Sequence, residues 1–247
     1  TLSLHDALPI YAKLKLIYNQ EKGDFAFFNK KNILIKKELK NKKIKSKVIS
    51  VNDKLNLNYH KLIKNEYFNN KNNHQNLSYI FAICKKLKIN KKNILKIINN
   101  FHGLKFRQQI IYNSKKLTII NDSKSTSFSS TINLISSLNN VFWILGGLPK
   151  KGDKFKFNKN KNLNLNLKAF IYGKHKKFFI KNLKSKILFE TSKNLKDAFK
   201  KVILEIKNKK NKKKTTILFS PCSASFDSFS NFEKRGEYFN YLVKNKD

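Results

Sequence analysis

Three short polar segments hold most of the residue types that can do chemistry in this chain: NDSKST at 121–126, GGLPKKGD at 146–153 and SPCSASFDSFSNFEKRG at 220–236. In the first, Asp122 and Lys124 place opposite charges beside an expected helix start, with Thr126 on its first turn. A helix N-terminus offers free N–H groups to an anion. Lys124 would add a point charge, and Asp122 can bind ribose hydroxyls. Taken alone, this segment reads better as an N-cap with a surface ion pair. In the second, Gly146 and Gly147 allow a sharp turn and close approach to a ligand, and Lys150 follows where it can meet a carboxylate or phosphate. An ordinary strand-to-helix turn would look much the same. In the third, Ser220, Pro221, Ser223, Ser225 and Asp227 precede a helix with Phe232, Glu233, Arg235 and Gly236. Hydroxyls beside a helix N-terminus can hold a carboxylate; otherwise they are caps, and Arg235 pairs with Glu233. The order and density of these residues favour function.

The elements that must position them alternate between strand and helix after Phe101. KLTIIND reads as the first strand of this region, TSFSSTINLISSL as a helix, and VFWILGG, KAFIYG and KILFET as strands. NLKDAFKKVILEI as a helix, TTILFSP as a strand and NFEKRGEYFNYLV as a closing helix complete the series. Such alternation predicts an α/β fold, a Rossmann-like mostly parallel sheet with helices on both faces. Ligands bind beyond the carboxyl ends of such strands, so the three segments are expected to converge. The Lys/Asn run at 207–214 reads as a solvated loop. Before Phe101, YAKLKLIYNQ reads as the end of a helix, DFAFFN as strand-like, and NILIKKEL and KIKSKVISV as β-rich pieces. Residues 69–73 read as a loop, and NLSYIFAICKKLKI and NKKNILKIINNF as helices, the second capped by Asn90. This is the pattern of the end of an α/β domain. The expected divisions are 1–10, 11–101 and 102–247.

Composition narrows the classes. The chain has 247 residues, 54 Lys and Arg against 15 Asp and Glu, and a net charge of +39. A hydrophobic share of 40%, with 21 Phe and 9 Tyr, is too high for a disordered polycation. No apolar run approaches the roughly 20 residues that span a bilayer, so no membrane partner is expected. Cys84 and Cys222 are too few for a disulfide framework and lack metal-ligand spacing, which favours a reducing, cytoplasmic setting. Lys, Asn, Ile and Phe can all be written with A and T alone, and the lysines are spread without forming a basic face. The charge is therefore mostly background, although Lys interleaved with aromatics keeps a nucleic-acid-binding remnant as the alternative. The two arginines, Arg107 and Arg235, and the seven glycines carry more information for being rare. TLSLHDALPI at 1–10 differs in texture from the rest of the chain and resembles translated adapter or scar. With no Met anywhere, the chain is expected to be the C-terminal part of something longer.

NDSKST, GGLPKKGD and SPCSASFDSFSNFEKRGEYF, in this order and spacing, resemble the Mur ligase family, specifically its D-glutamate-adding branch, the UDP-N-acetylmuramoyl-L-alanine:D-glutamate ligases. FHGLKFRQQ resembles that branch's domain-joining segment, NNHQNLSYIFAI its His-Asn helix start and AKLKLIYNQ its Lys-containing helix, so the likeness covers residues 11–247. It implies the end of a central ATPase domain followed by a whole C-terminal ligase domain. It also implies a reaction in which ATP and Mg²⁺ activate the carboxylate of UDP-N-acetylmuramoyl-L-alanine as an acyl phosphate, which the amine of D-glutamate attacks. The parent would be a monomeric cytoplasmic enzyme of peptidoglycan synthesis, linked to cell shape and division. No G-x-x-G-K-[ST] phosphate loop occurs here, and no uridine-nucleotide domain is recognised, so the chain alone is expected to be inactive.

By the same resemblance, Lys13 matches the family's carbamylated lysine that supports Mg²⁺, with Lys15 its rival by register. Arg107, Asp122 and Lys124 match the nucleotide-facing set. Thr126, Lys150, Ser225 and Phe232 match the D-glutamate pocket, Phe232 contributing its backbone N–H. The family's His-Asn-x-x-Asn reads His74-Gln75-Asn76-Leu77-Ser78, which puts Ser78 at the adenine-contacting position with less hydrogen-bonding reach. Ser127 and Gln109 replace a family Asn and Glu, and are expected to alter tuning without abolishing function.

Overall fold

The structure, a computed structural model, describes residues 12, 14–41, 43–52, 59, 61–68, 71–156, 166–208 and 213–245. The chain divides into two compact units, Thr1–Phe101 and His102–Asp247. The segment at 1–10 and Lys13 lie outside the described residues.

In the first unit, β1 (Phe25–Asn29) pairs in parallel with β2 (Lys47–Val51), from Phe25 opposite Lys47 to Asn29 opposite Val51. Between them α1 (Ile33–Asn41) is a helix, where the sequence had suggested a β-rich piece. Two facts account for the difference. Parallel neighbours need a crossover connection, and Asn32 Oδ1 accepts the Ile35 N–H at 3.1 Å, as an N-cap does. α2 (Lys71–Lys86) and α3 (Lys91–Asn99) follow. Residues 71–73 form the first turn of α2, not a loop; Asn73 is buried there and donates to Tyr67 O at 2.6 Å. Asn90 caps α3 as expected, accepting from Lys92 N. Phe68, Leu77, Phe81, Ile94 and Ile98 form this unit's apolar cluster.

The second unit is the expected α/β fold with a mostly parallel sheet. Its strands are β3 (Gln109–Asn113), β4 (Leu117–Asn121), β5 (Val141–Gly146), β6 (Leu167–Tyr172), β7 (Leu188–Ser192) and β8 (Thr215–Phe219). They lie in the order β3-β4-β8-β5-β6-β7, parallel throughout except for β3, which runs antiparallel on the edge beside β4. The sequence did not reveal β3, so KLTIIND is the second strand of the unit and not the first.

The helices are α4 (Phe128–Ile135), α5 (Lys176–Leu183), α6 (Leu195–Asn208) and α7 (Phe232–Lys244). β5 shows why the sheet is covered on both sides. Val141, Trp143 and Leu145 pack into a cluster with Phe128, Ile135, Phe179 and Leu183, whereas Phe142 and Ile144 pack with Phe199, Val202, Phe239 and Leu242. Successive strand side chains point to opposite faces, so α4 and α5 cover one face and α6 and α7 the other. The chain moves outward from β4 through β5 and β6 to β7 and returns to β8 on the opposite face, as right-handed crossovers require. α5, unrecognised in the sequence, is anchored by Phe179 and Leu183, four residues apart on its buried side. α4 starts at Phe128 with Ser127 as N-cap, so Thr126 precedes the helix and does not occupy its first turn.

Candidate functional site

The three polar segments follow β4, β5 and β8, which are adjacent in the sheet, and they meet at its carboxyl edge. Asp122 continues the ladder past β4, its N–H donating to Phe219 O at 2.7 Å. Its carboxylate is buried. Oδ2 accepts from the Ser220 hydroxyl at 2.8 Å and Oδ1 accepts from the Gln108 N–H at 3.1 Å. Burial pushes its pKa up to about 7, against the partial pull of those two hydrogen bonds and the Arg107 charge. Ser220 is fixed in turn: its carbonyl accepts the indole N–H of the buried Trp143 at 2.8 Å, and its hydroxyl lies 2.6 Å from Thr131 Oγ1. Arg107 is exposed, on a tight turn closed by a bridge between Leu104 and Arg107.

The surface ion pair offered as the plainer account of 121–126 is absent among the described residues. Asp122 is turned inward, and the Lys124 ammonium lies 3.7 Å from the centroid of the Phe232 ring. The Lys124 backbone N–H donates to Phe106 O at 3.0 Å. Phe232 opens α7, so its N–H belongs to the first turn, which lacks intrahelical acceptors. Its carbonyl accepts the Ser123 hydroxyl at 2.8 Å, which ties the α7 start to the loop after β4.

The loop after β5 is tied to the loop after β8. Leu148 and Ala224 exchange backbone hydrogen bonds at 3.0 and 2.9 Å, and the Ser223 hydroxyl donates to Gly146 O at 2.7 Å. Gly147, with φ +124°, has no room for a side chain, because a Cβ there would fall 2.7 Å from Ala224 O and 3.1 Å from Arg235 Nη1. Asp153 Oδ2 accepts the Phe128 N–H at 2.8 Å, capping α4 from the second segment with a charge suited to a helix N-terminus. Lys150 and Thr126 are exposed, and Ser225 is buried.

Arg235 departs from the sequence account most. It is not paired with Glu233 but is fully buried, with its guanidinium on Ser123 and Ser223. Its rarity was the available signal; its partners, more than a hundred and about a dozen residues away, carried none.

The fold therefore brings Asp122, Lys124 and Phe232 together, and joins the segments that carry Thr126, Lys150 and Ser225. Ser78 belongs to the first unit, buried in α2 with its hydroxyl donating to His74 O at 3.1 Å. Among the described residues no group of three or more His, Cys, Asp or Glu side chains forms a metal centre. No described helix is long and apolar enough to cross a membrane.

The second unit is thus an α/β domain with its polar loops gathered beyond the carboxyl ends of adjacent strands, where ligands bind in open sheets of this kind. No protein-family model matches the chain. Curated proteins named UDP-N-acetylmuramoylalanine–D-glutamate ligase do. That of Rickettsia felis is 32% identical over 95% of this chain and 56% of its own length. That of a Wolbachia from Brugia malayi is 36% identical over 68% of this chain and 33% of its own. That of Prochlorococcus marinus is 34% identical over 75% and 40%. The chain belongs to this ligase family. It spans about half the length, or less, of these relatives.

Proposed function

We propose that the chain forms part of an ATP-dependent amide ligase that adds D-glutamate to UDP-N-acetylmuramoyl-L-alanine in peptidoglycan synthesis, acting as a monomer in the cytoplasm. The observation that carries this reading is the meeting of the three polar segments at one sheet edge, in a chain of this family. On this reading the first unit is the end of a central ATPase domain and the second the C-terminal ligase domain.

The donor set fits a nucleotide. Arg107 and Lys124 offer cations for phosphate oxygens, whereas the Asp122 carboxylate, buried and accepting from Ser220 and Gln108, would have to turn outward to meet a ribose hydroxyl. When bound, ATP with Mg²⁺ supplies the phosphoryl group that turns the substrate carboxylate into an acyl phosphate, with a leaving group the amine can displace. Lys124 then holds phosphate charge, which requires its ammonium to leave the Phe232 ring. Lys150 pairs a D-glutamate carboxylate, while Thr126, Ser225 and the Phe232 N–H donate hydrogen bonds to carboxylate oxygens. Ser78, by the family resemblance, is the adenine-contacting position. Lys13, which lies outside the described residues, would as a carbamate help to hold Mg²⁺.

The test is calorimetric titration of the 247-residue chain with D-glutamate. Saturable binding, weaker for L-glutamate, is expected. The absence of D-glutamate binding, together with RNA binding that is sequence-specific and resists salt, would favour the nucleic-acid-binding alternative.

A further inference from the structure

Arg235 occupies an electrostatically unfavourable place. It is fully buried, it lies near the N-terminus of α7, where the helix dipole disfavours a cation, and its hydrogen-bond acceptors on Ser123 and Ser223 are neutral. Desolvation lowers its pKa, offset only in part by Tyr172 and Asp227. Local stability alone gives no reason for an arginine here, and its contacts do. Nη2 donates to Ser123 O at 2.7 Å and to Ser223 O at 3.0 Å, so one nitrogen bridges the backbones of two loops. Nε donates to Ser123 Oγ at 3.1 Å, and that hydroxyl donates on to Phe232 O. The space of the missing Gly147 side chain is taken by Ser223, Ala224 and Arg235 Nη1, so the loop after β5 closes on the same guanidinium.

We propose that Arg235 is the positioning residue of this site: its planar fork fixes the spacing of the loops after β4, β5 and β8, and thereby aims Thr126, Lys150, Ser225 and the Phe232 N–H at one dicarboxylate ligand. This rests on the D-glutamate reading above. Lysine cannot replace the arrangement, because a tetrahedral ammonium on a shorter stem keeps the charge but loses the fork. The guanidinium also adds a fixed positive field beneath the site, which a neutral side chain would remove.

Arg235→Lys, Arg235→Met and Ser123→Ala, each made in the 247-residue chain, test this by titration with D-glutamate and by amide hydrogen exchange. Both Arg235 variants are expected to weaken D-glutamate binding by about tenfold or more, with Lys intermediate between wild type and Met. Faster exchange is expected at 121–126, 146–153 and 220–231, with β6 and α5 unchanged. Ser123→Ala, which removes one hydroxyl and keeps the bridged carbonyl, is expected to weaken binding by about threefold and decides the matter if neither arginine variant folds. Binding within about twofold of wild type in the folded variants, with exchange raised evenly, would mean a merely structural arginine and overturn the proposal. If the wild-type chain binds no D-glutamate, the ligand reading fails. The exchange pattern then decides positioning alone: loosening confined to the three loops upholds it, and any other pattern refutes it.

Discussion

The Phe106 ring fills the space in which residue 236 would carry a side chain. A Cβ on Gly236 would fall 2.7 Å from Phe106 Cγ and 2.8 Å from Cε1, closer still to Cδ1. Phe106 is buried and takes a positive φ of 61°, and its carbonyl accepts the Lys124 N–H. Gly236 in turn offers its carbonyl to Asn121 Nδ2 at 2.9 Å. The turn before β3, the end of β4 and the first turns of α7 are thus locked at this contact.

Gly236→Ala should therefore destabilise the second unit by about 1–3 kcal/mol, although alanine favours helices. Phe106→Leu should recover part of that loss in the double variant. Chemical denaturation of the four proteins in the cycle measures the coupling, and purely additive effects would refute the contact.

Asp122 gives stability a pH dependence of defined sign. Its folded pKa near 7 lies above the ordinary 3.8, so the fold favours the neutral carboxyl. That contribution is complete below pH 3.8 and is lost as pH rises towards 7. Asp122→Asn should remove this slope. The stability of the variant relative to wild type should rise across the window by a few kcal/mol at most, about 1.4 per unit. Parallel melting-temperature profiles would disprove it.

Asp153→Ala removes the side chain that accepts the Phe128 N–H at the head of α4. A loss of about 0.5–2 kcal/mol is expected, the usual worth of an N-cap. Urea midpoints of the two chains give the value, and an unchanged midpoint would show that water replaces the cap at no cost.

Lys150→Ala should raise the dissociation constant for D-glutamate by about tenfold or more, through loss of a charge-assisted hydrogen bond. Because Lys150 is exposed, the melting temperature should hold. Equal affinity in the two proteins would remove Lys150 from the pocket.

Much of this protein was legible in its sequence where information is local. The apolar runs of β4, β5, β6 and β8 specify strands buried on both faces, because only a covered parallel sheet accepts so little alternation. Asn90 reads as a cap because capping involves residues two or three positions away. The gathering of NDSKST, GGLPKKGD and the closing segment followed from their places after strands, since a parallel sheet puts all such loops on one edge. Tertiary structure decided the rest. Ile33–Asn41 fits a strand or a helix until β1 and β2 pair in parallel and demand a crossover. β3 is an edge strand paired, among the described residues, with β4 alone, so no two-faced apolar run marked it. Glu233 and Glu237 each stand two residues from Arg235 along the chain, yet the guanidinium went to Ser123 and Ser223. Sequence spacing fixes which groups are near on one helix or strand. Which loop a buried cation joins depends on how distant strands are ordered, and that is settled only when the sheet assembles.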